Sequence, residues 1–433
     1  MLWRTQRLGG SIFPARLTVA DAGGLEYAYG RGNPPHTTIR ETSLHPPAEP
    51  IPGRRRLSLV LCAFLHGLNH ALQLILPPLY VAIGTDLRID GLSPVMLLGT
   101  IYFVVYAVVG LPYGIIADRV SKKKMLVLGA LVNSMAFFLV AYSRSYSVLV
   151  VAMVLGGLGG GTYHPVGNAL ISNLFKDSVG RAFGIAGIGG SFGLFFGPVV
   201  SGLLGEHYGW RASCMAFALF GMVVTAAFAL VMPEDKRETS SGKDERGQSR
   251  ALMAAILPVI MLFGVRDFCL WGITYLTPSM AQTSIGFSLE TAGLLIGLMS
   301  LTGVISQPLG GMLSDRFGRR RVIAFCLAAA TPCVLLFPYA GSLFIFPLVI
   351  ATGFALLATV PVVDAAAAEI VPPSMRGRLF GMMMTLGILL GALSPYVVGV
   401  IHDASGGYVP AYLVLGASAL LGSGLGVVVL SKK

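Results

Sequence analysis

Apolar runs of about 20 residues or more alternate with short polar turns along almost the whole chain. A helix needs about 20 mainly apolar residues to cross the hydrocarbon core of a bilayer. By that measure the pattern predicts twelve spans, over 57–83, 93–117, 124–142, 146–174, 180–205, 210–232, 252–281, 291–313, 322–340, 343–370, 378–401 and 408–430. One long polar stretch, 233–251, divides them six and six. The predicted units are therefore a six-helix bundle over 57–232, a cytoplasmic linker, and a second bundle over 252–433. Residues 1–56 break the pattern, being rich in Gly, Pro and Arg without an uninterrupted apolar core. They read as a disordered cytoplasmic tail rather than a signal peptide.

Composition agrees with a membrane protein. Hydrophobic residues make up 55% of the chain and charged residues 12%, about half the charge of a typical soluble domain. A net charge of +11 could point to nucleic acid, but the basic residues cluster in short turns and in the tail. One set of turns holds Arg54 to Arg56, Lys122 to Lys124, Lys176 with Arg181, Arg319 to Arg321, Arg376 with Arg378, and Lys432 with Lys433. The opposite turns offer Arg88, Arg144 and Arg211 beside the acids Asp86, Asp90, Glu206 and Asp403. Positive-inside asymmetry then places both termini in the cytoplasm and removes the need for a nucleic-acid partner. The five cysteines all fall in apolar runs without ligand spacing and read as small buried hydrophobes; neither a metal nor a cofactor is expected.

The chain also repeats itself. Gly114-Ile115-Ile116-Ala117-Asp118-Arg119, followed by Lys122 to Lys124, returns as Gly311-Met312-Leu313-Ser314-Asp315-Arg316, followed by Arg319 to Arg321. A shift of 197 positions relates Asp118 to Asp315, Arg181-Ala182-Phe183-Gly184 to Arg378-Leu379-Phe380-Gly381, and Pro198 to Pro395. Duplicated halves are a common plan of secondary transporters.

Six plus six spans with the doubled G-x-x-x-D-R turn resemble the major facilitator superfamily, from Arg54 to the C-terminus. The turn corresponds to motif A of that family, with Ser121 standing where the second copy has Gly318. Gly184 followed by Gly193-Leu194-Phe195-Phe196-Gly197-Pro198 and Gly202 is similar to motif C of proton-coupled drug antiporters. The run Gly157 to Pro165 and the segment His66-Gly67-Leu68-Asn69-His70 resemble the fosmidomycin-resistance branch, although that branch more often has Asp at the position of His70. The resemblance implies an all-α fold of two six-helix bundles and a central cavity between spans 1, 4, 7 and 10. It also implies a cytoplasmic latch in the outward-open state, with Asp118 meeting the start of span 11 near Arg378 and Asp315 the start of span 5 near Arg181. Gly114, Arg119, Gly311 and Arg316 complete the two turns. The antiporter arginine of motif B, which should fall near Met153, is missing.

Several residues carry chemistry if they face the cavity. His66, Asn69, His70 and Gln73 recur at helical spacing and form one polar stripe on span 1. His164, just before Pro165, and Asn168 lie on span 4; the functional and the merely structural reading of that pair stand level. Arg266-Asp267 sits midway along span 7, where an uncompensated charge costs about 2.5–3.5 kcal/mol on an insertion scale. Neighbours on a helix point about 100° apart, so Arg266 is favoured as an anion-binding fork and Asp267 as its counter-charge or a proton site. A self-compensating pair is the alternative. Asp364 on span 10 and His66 are further proton candidates, and Tyr102, Tyr106, Trp271 and Tyr275 are candidates for an aromatic wall. Gly184, Gly193, Gly197, Pro198 and Gly202 predict close packing of span 5 against a helix of the other half.

No G-x-x-x-x-G-K-[ST] loop is present, so ATP hydrolysis is not expected to supply the energy. The favoured function is proton-coupled efflux antiport of a small polar or anionic solute across a bacterial inner membrane, by a monomer that is not an enzyme. The alternatives are proton-coupled uptake of an organic anion and a non-transporting sensor or scaffold. Small-molecule substrate, protons and the lipid bilayer are the expected partners.

Overall fold

The computed structural model describes residues 53–234, 249–370 and 376–429. The tail up to residue 52, linker residues 235–248 and the pair Lys432–Lys433 lie outside the described residues. Twelve helices are long and apolar enough to cross a membrane: α1 (Arg55–Asp86), α2 (Ser93–Ala117), α3 (Lys122–Tyr142), α4 (Tyr146–Leu174), α5 (Val179–Tyr208), α6 (Trp210–Val231), α7 (Ile256–Ile285), α8 (Leu289–Phe317), α9 (Arg319–Tyr339), α10 (Ile345–Glu369), α11 (Thr385–Ser405) and α12 (Val409–Val429). The helices of α7 and α11 begin earlier, at Ser249 and Arg376. No strand occurs among the described residues. All twelve predicted spans are thus helical.

Helix ends follow local chemistry. Ser121 caps α3 by accepting from the Lys124 N–H at 3.3 Å, and Ser288 caps α8 by accepting from Thr291 at 3.2 Å. The repeat-related position of Ser121 is Gly318, whose φ of +90° turns α8 directly into α9. Only glycine takes that conformation without strain. The departure of the first motif copy therefore reflects a real backbone difference: a capped turn in one half, a single-residue reversal in the other.

The repeat also governs where helices break. Thr162 ends the first part of α4, its hydroxyl donating to the Gly159 carbonyl at 2.8 Å; Thr359 does the same in α10, donating to Leu356 at 2.6 Å. These positions are again 197 apart. After Thr162 the chain takes one π-helical turn, Tyr163–Gly167, around Pro165, which has no N–H to donate. Such turns re-aim side chains, and this one carries His164.

Span 5 packs on a helix of its own half as well as on one of the other. A Cβ at Gly193 would strike the Gly67 carbonyl, and at Gly197 it would lie 2.8 Å from the Ala71 Cα. This glycine row therefore seats α5 on α1 of its own half. The stretch from Phe195 to Gly202 also packs on α8 of the other half, where Gly297 meets the Phe195 carbonyl, Gly293 the Pro198 carbonyl and Gly202 the Leu289 carbonyl. A side chain at Gly184 would meet nothing within 4 Å. Small residues pack closely on both partners, as membrane helices favour.

The two halves meet along α2 with α11 and α5 with α8. Their contacts gather at the face opposite the Lys122–Lys124 and Arg319–Arg321 turns. There Tyr275 donates to the Gln73 carbonyl at 2.7 Å, Gln282 to the Pro78 carbonyl at 2.9 Å, and Phe103 packs on Trp271 at 4.7 Å between centroids. Toward the basic face the helices part: added Cβ atoms at Gly110, Gly180, Gly184, Gly187 and Gly311 would meet nothing within 4 Å. The space between the halves opens on the basic side.

Candidate functional site

α1, α4, α7 and α10 bring the polar residues of their middle sections toward this space. On the first half, three imidazoles converge. The rings of His66 and His70 lie 4.7 Å apart, His66 and His164 5.2 Å, and His70 and His164 5.4 Å. His66 stacks on Tyr163 at 4.6 Å and donates Nδ1–H to the Ala186 carbonyl at 2.8 Å; a Cβ at Gly190 would sit 2.7 Å from its ring. The missing side chain at Gly190 is what lets the imidazole lie against α5. His70 donates Nδ1–H to the Gln73 side-chain carbonyl at 2.8 Å, and Asn69 donates to the Tyr106 hydroxyl at 3.4 Å. Asn168 is exposed one turn beyond His164 and takes no part in the cluster.

On the second half, Arg266 is 2% exposed, the largest of the fully buried side chains. Its Nε lies 3.0 Å from Asp267 Oδ1. The two residues therefore do touch, contrary to the expectation that neighbours on a helix would point apart. The contact is an ion pair without hydrogen-bond alignment, and Arg266 Nε has no hydrogen-bond partner. The guanidinium also lies over the Phe263 ring at 4.6 Å. Asp364 from α10 interacts electrostatically with both Arg266 and Asp267, and one of its oxygens is buried without a hydrogen-bond partner. Asp267 is the carboxylate in contact with the guanidinium, and Asp364 acts on it through charge alone.

The two clusters are related by the repeat. Asn69-His70 of α1 and Arg266-Asp267 of α7 stand 197 positions apart. Equivalent positions carry neutral polar side chains in one half and charged ones in the other. That correspondence could have been read from the register already established by the doubled turn.

The aromatic wall is only partly as expected. Trp271 and Tyr275 line the seam with Phe103, which the sequence pattern did not single out. Tyr106 faces the imidazoles, 6.3 Å from His164. Tyr102 does not: it is buried inside the first bundle, where its hydroxyl pairs with Asn133 at 3.2–3.3 Å and Gly156, Gly157 and Gly160 close around it. Helix periodicity puts Tyr102 and Tyr106 on one face, but α3 and α4 cover the end that carries Tyr102. A groove of about 730 Å³ between α1, α5 and α6 has a wholly apolar lining, including Phe64, Phe192 and Phe220. It offers a polar solute no partner.

The loop residues occupy the basic face. Asp118, Arg119, Arg316 and Arg181 are exposed. Asp315 pairs with Arg319 of its own turn, not with Arg181, and Arg319 also reaches Glu369 at 3.2 Å. The side chain of Arg378 lies outside the described residues. A Cβ added at Gly114 would lie 3.7 Å from Pro165, and one at Gly311 would meet nothing within 4 Å.

At the opposite face a second pair of acids closes the seam. Asp403, at the end of α11, accepts from the backbone N–H groups of Leu92 and Ser93 at 2.8 and 2.7 Å, where α2 begins. Glu206, at the end of α5, accepts from the N–H of Leu289 at 2.8 Å, where α8 begins. Both the acids and the capped positions are 197 residues apart. Each half thus caps a helix of the other. The sequence reading counted these acids only as topology markers.

Twelve membrane helices in two repeat-related sets, parted toward one face around buried charged and polar groups, define a secondary transporter. A family profile described as Major Facilitator Superfamily matches residues 59–304 and 260–433, and the chain belongs to that family. It is similar to the uncharacterized MFS-type transporter YfnC of Bacillus subtilis, at 23% identity over 80% of this chain and 87% of that one. It is also similar to the fosmidomycin resistance protein of Escherichia coli, at 22% over 66% and 72%, and to the probable sulfoacetate transporter SauU of Cupriavidus necator, at 28% over 74% and 80%. Among solved structures, a bacterial homologue of the human lysosomal transporter Spinster, in an inward-facing and unoccupied conformation, superposes with a TM-score of 0.72. It shares 18% identity and covers 88% of this chain and 96% of that one. The protein is a multi-pass integral membrane protein of the bacterial inner membrane.

Proposed function

We propose that the protein is a proton-coupled antiporter that exports a small anionic or polar solute. The observation that carries this reading is Arg266, a guanidinium buried at the midpoint of α7, paired with Asp267 and within electrostatic reach of Asp364. Removing one partner of such a group would leave an uncompensated buried charge, which costs about 3–5 kcal/mol. A group of the solute that donates to the ionised Asp364 carboxylate would be released when that carboxylate takes a proton, so solute and proton would occupy the site in turn. Asp364, with an oxygen that has no partner, is the carrier we assign, with Asp267 as its companion. The fosmidomycin resistance protein among the relatives favours export.

Alternating access follows from the two sets of acids. The basic face is taken as cytoplasmic, by the positive-inside rule; the structure is then open inward. The Asp403 and Glu206 caps hold the outer side shut. In the outward-open state they release, and Asp118 and Asp315 take up the equivalent contacts on the inner side. A second reading, uptake of an organic anion with protons, is favoured by the absent arginine near Met153 and by the name of SauU.

Proteoliposomes holding a lumenal pH dye, with the cytoplasmic face outside, separate the two. Solute entry coupled to proton exit supports antiport; solute and protons entering together replace it with symport. Loss of the proton signal in Asp364→Asn, with solute binding retained, identifies the carrier. Binding or flux by no anionic solute in any format would sink the transporter reading in favour of a sensor.

A further inference from the structure

We infer that His66, His70 and His164 form a binding site for a divalent transition-metal ion of the zinc class. The site lies in the first half of the molecule and is distinct from the Arg266 group in the second. The ligand atoms of the three rings all lie within 4.8 Å of one another. Tetrahedral zinc with Zn–N bonds of 2.0–2.1 Å sets neighbouring nitrogens about 3.4 Å apart. The rings must therefore draw together by up to about 1.4 Å, a movement that rotation about Cα–Cβ and Cβ–Cγ supplies.

The hydrogen bonds fix the tautomers of two of the rings. Ala186 offers His66 a backbone carbonyl, which can only accept, so Nδ1 carries the proton and Nε2 keeps its lone pair. The side-chain carbonyl of Gln73 does the same for His70. A metal-ligating histidine characteristically donates its other ring N–H to a carbonyl or carboxylate in this way, which fixes the tautomer and the ring plane. His66 Nε2 is moreover buried without a hydrogen-bond partner. A buried lone pair left unmet costs free energy that a metal would recover. His66 and His70 stand one turn apart on one helix face, and the π-helical turn of α4 brings in His164 from another.

The donor set also chooses the ion. Three neutral imidazoles suit Zn²⁺, Ni²⁺, Co²⁺ and Cu²⁺, whereas Ca²⁺ and Mg²⁺ require oxygen ligands. The rings are only partly buried, so the fourth position is reachable from the space between the halves. Water or an oxygen of a chelating solute can complete it. The metal can thus arrive as the free ion or within a chelate; the chemistry at the protein is the same. The sequence expectation of no metal rested on local spacing, and His164 lies 94 residues beyond His70.

The test uses full-length, tag-free protein stripped with EDTA, titrated calorimetrically with ZnCl₂ and in parallel with Zn²⁺–citrate. Co²⁺ serves as a spectroscopic probe of four-coordination. One Zn²⁺ per chain is expected, with loss of binding in His70→Gln and His164→Gln. Gln73→Leu should weaken binding by about 10–100-fold, the usual effect of removing a group that orients a ligand. Asp364→Asn should leave binding unchanged. Binding from ZnCl₂ alone identifies the ion as ligand; binding only from Zn²⁺–citrate identifies the chelate. Absence of stoichiometric binding in both titrations, or binding equally tight in the folded His70→Gln and His164→Gln proteins, overturns the inference.

Discussion

Removing the Asp403 carboxylate should open the outer face. Asp403 satisfies two backbone N–H groups that begin α2, at 2.8 and 2.7 Å, and belongs to the opposite half of the molecule. Loss of an N-cap costs about 0.5–2 kcal/mol, and the charge at the helix N-terminus contributes about 0.3–1 kcal/mol more when exposed. Because the contact exists only when the face is closed, about 1–2 kcal/mol is withdrawn from the closed state alone. That changes the ratio of closed to open molecules by about 5–30-fold. Glu206 makes the matching contact to Leu289 and shares no partner with Asp403. The effects of Asp403→Ala and Glu206→Ala should therefore add. Spin labels at Ser145 and Ser342, exposed and repeat-related positions in the turns at this face, report the opening as a longer distance in a cysteine-free background. An unchanged distance distribution in the folded double variant would refute the latch.

Other changes probe the remaining groups. Asp118→Asn should favour the inward-open state, opposite in sign to Asp403→Ala, and the combined variant should return toward the wild-type distribution in the same measurement. Arg266→Gln leaves Asp267 buried without its partner and should lower thermal stability by about 3–5 kcal/mol; adding Asp267→Asn should restore stability but not solute binding, measured by ligand-induced shift in Tm. Arg266→Lys should not rescue binding, since an ammonium lacks the planar two-pronged donor. Gly193→Leu should prevent assembly of α5 on α1, whereas Gly184→Leu, which points into open space, should fold normally; size-exclusion profiles distinguish them.

Much of the architecture was legible without coordinates, because it depends on local patterns. The length and apolarity of each run required twelve helices, and the 197-residue register required that they form related halves. The same register later accounted for the breaks at Thr162 and Thr359, the opposed caps at Glu206 and Asp403, and the matched positions Asn69-His70 and Arg266-Asp267. Helical spacing also placed His66, Asn69, His70 and Gln73 on one stripe. What periodicity cannot state is which neighbour a stripe meets. Tyr102 and Tyr106 share a face, yet α3 buries the first and the imidazoles face the second. The glycines of α5 announce a close approach but do not name α1 as its object. Asp403 looked like a topology marker until the fold carried it to an N-terminus 311 residues away. His164 became part of a cluster only through the π-helical turn at Pro165. Contacts within a helix repeat every 3.6 residues and leave a trace in the sequence; contacts between helices depend on how whole bundles pack, and that information resides in the tertiary structure alone.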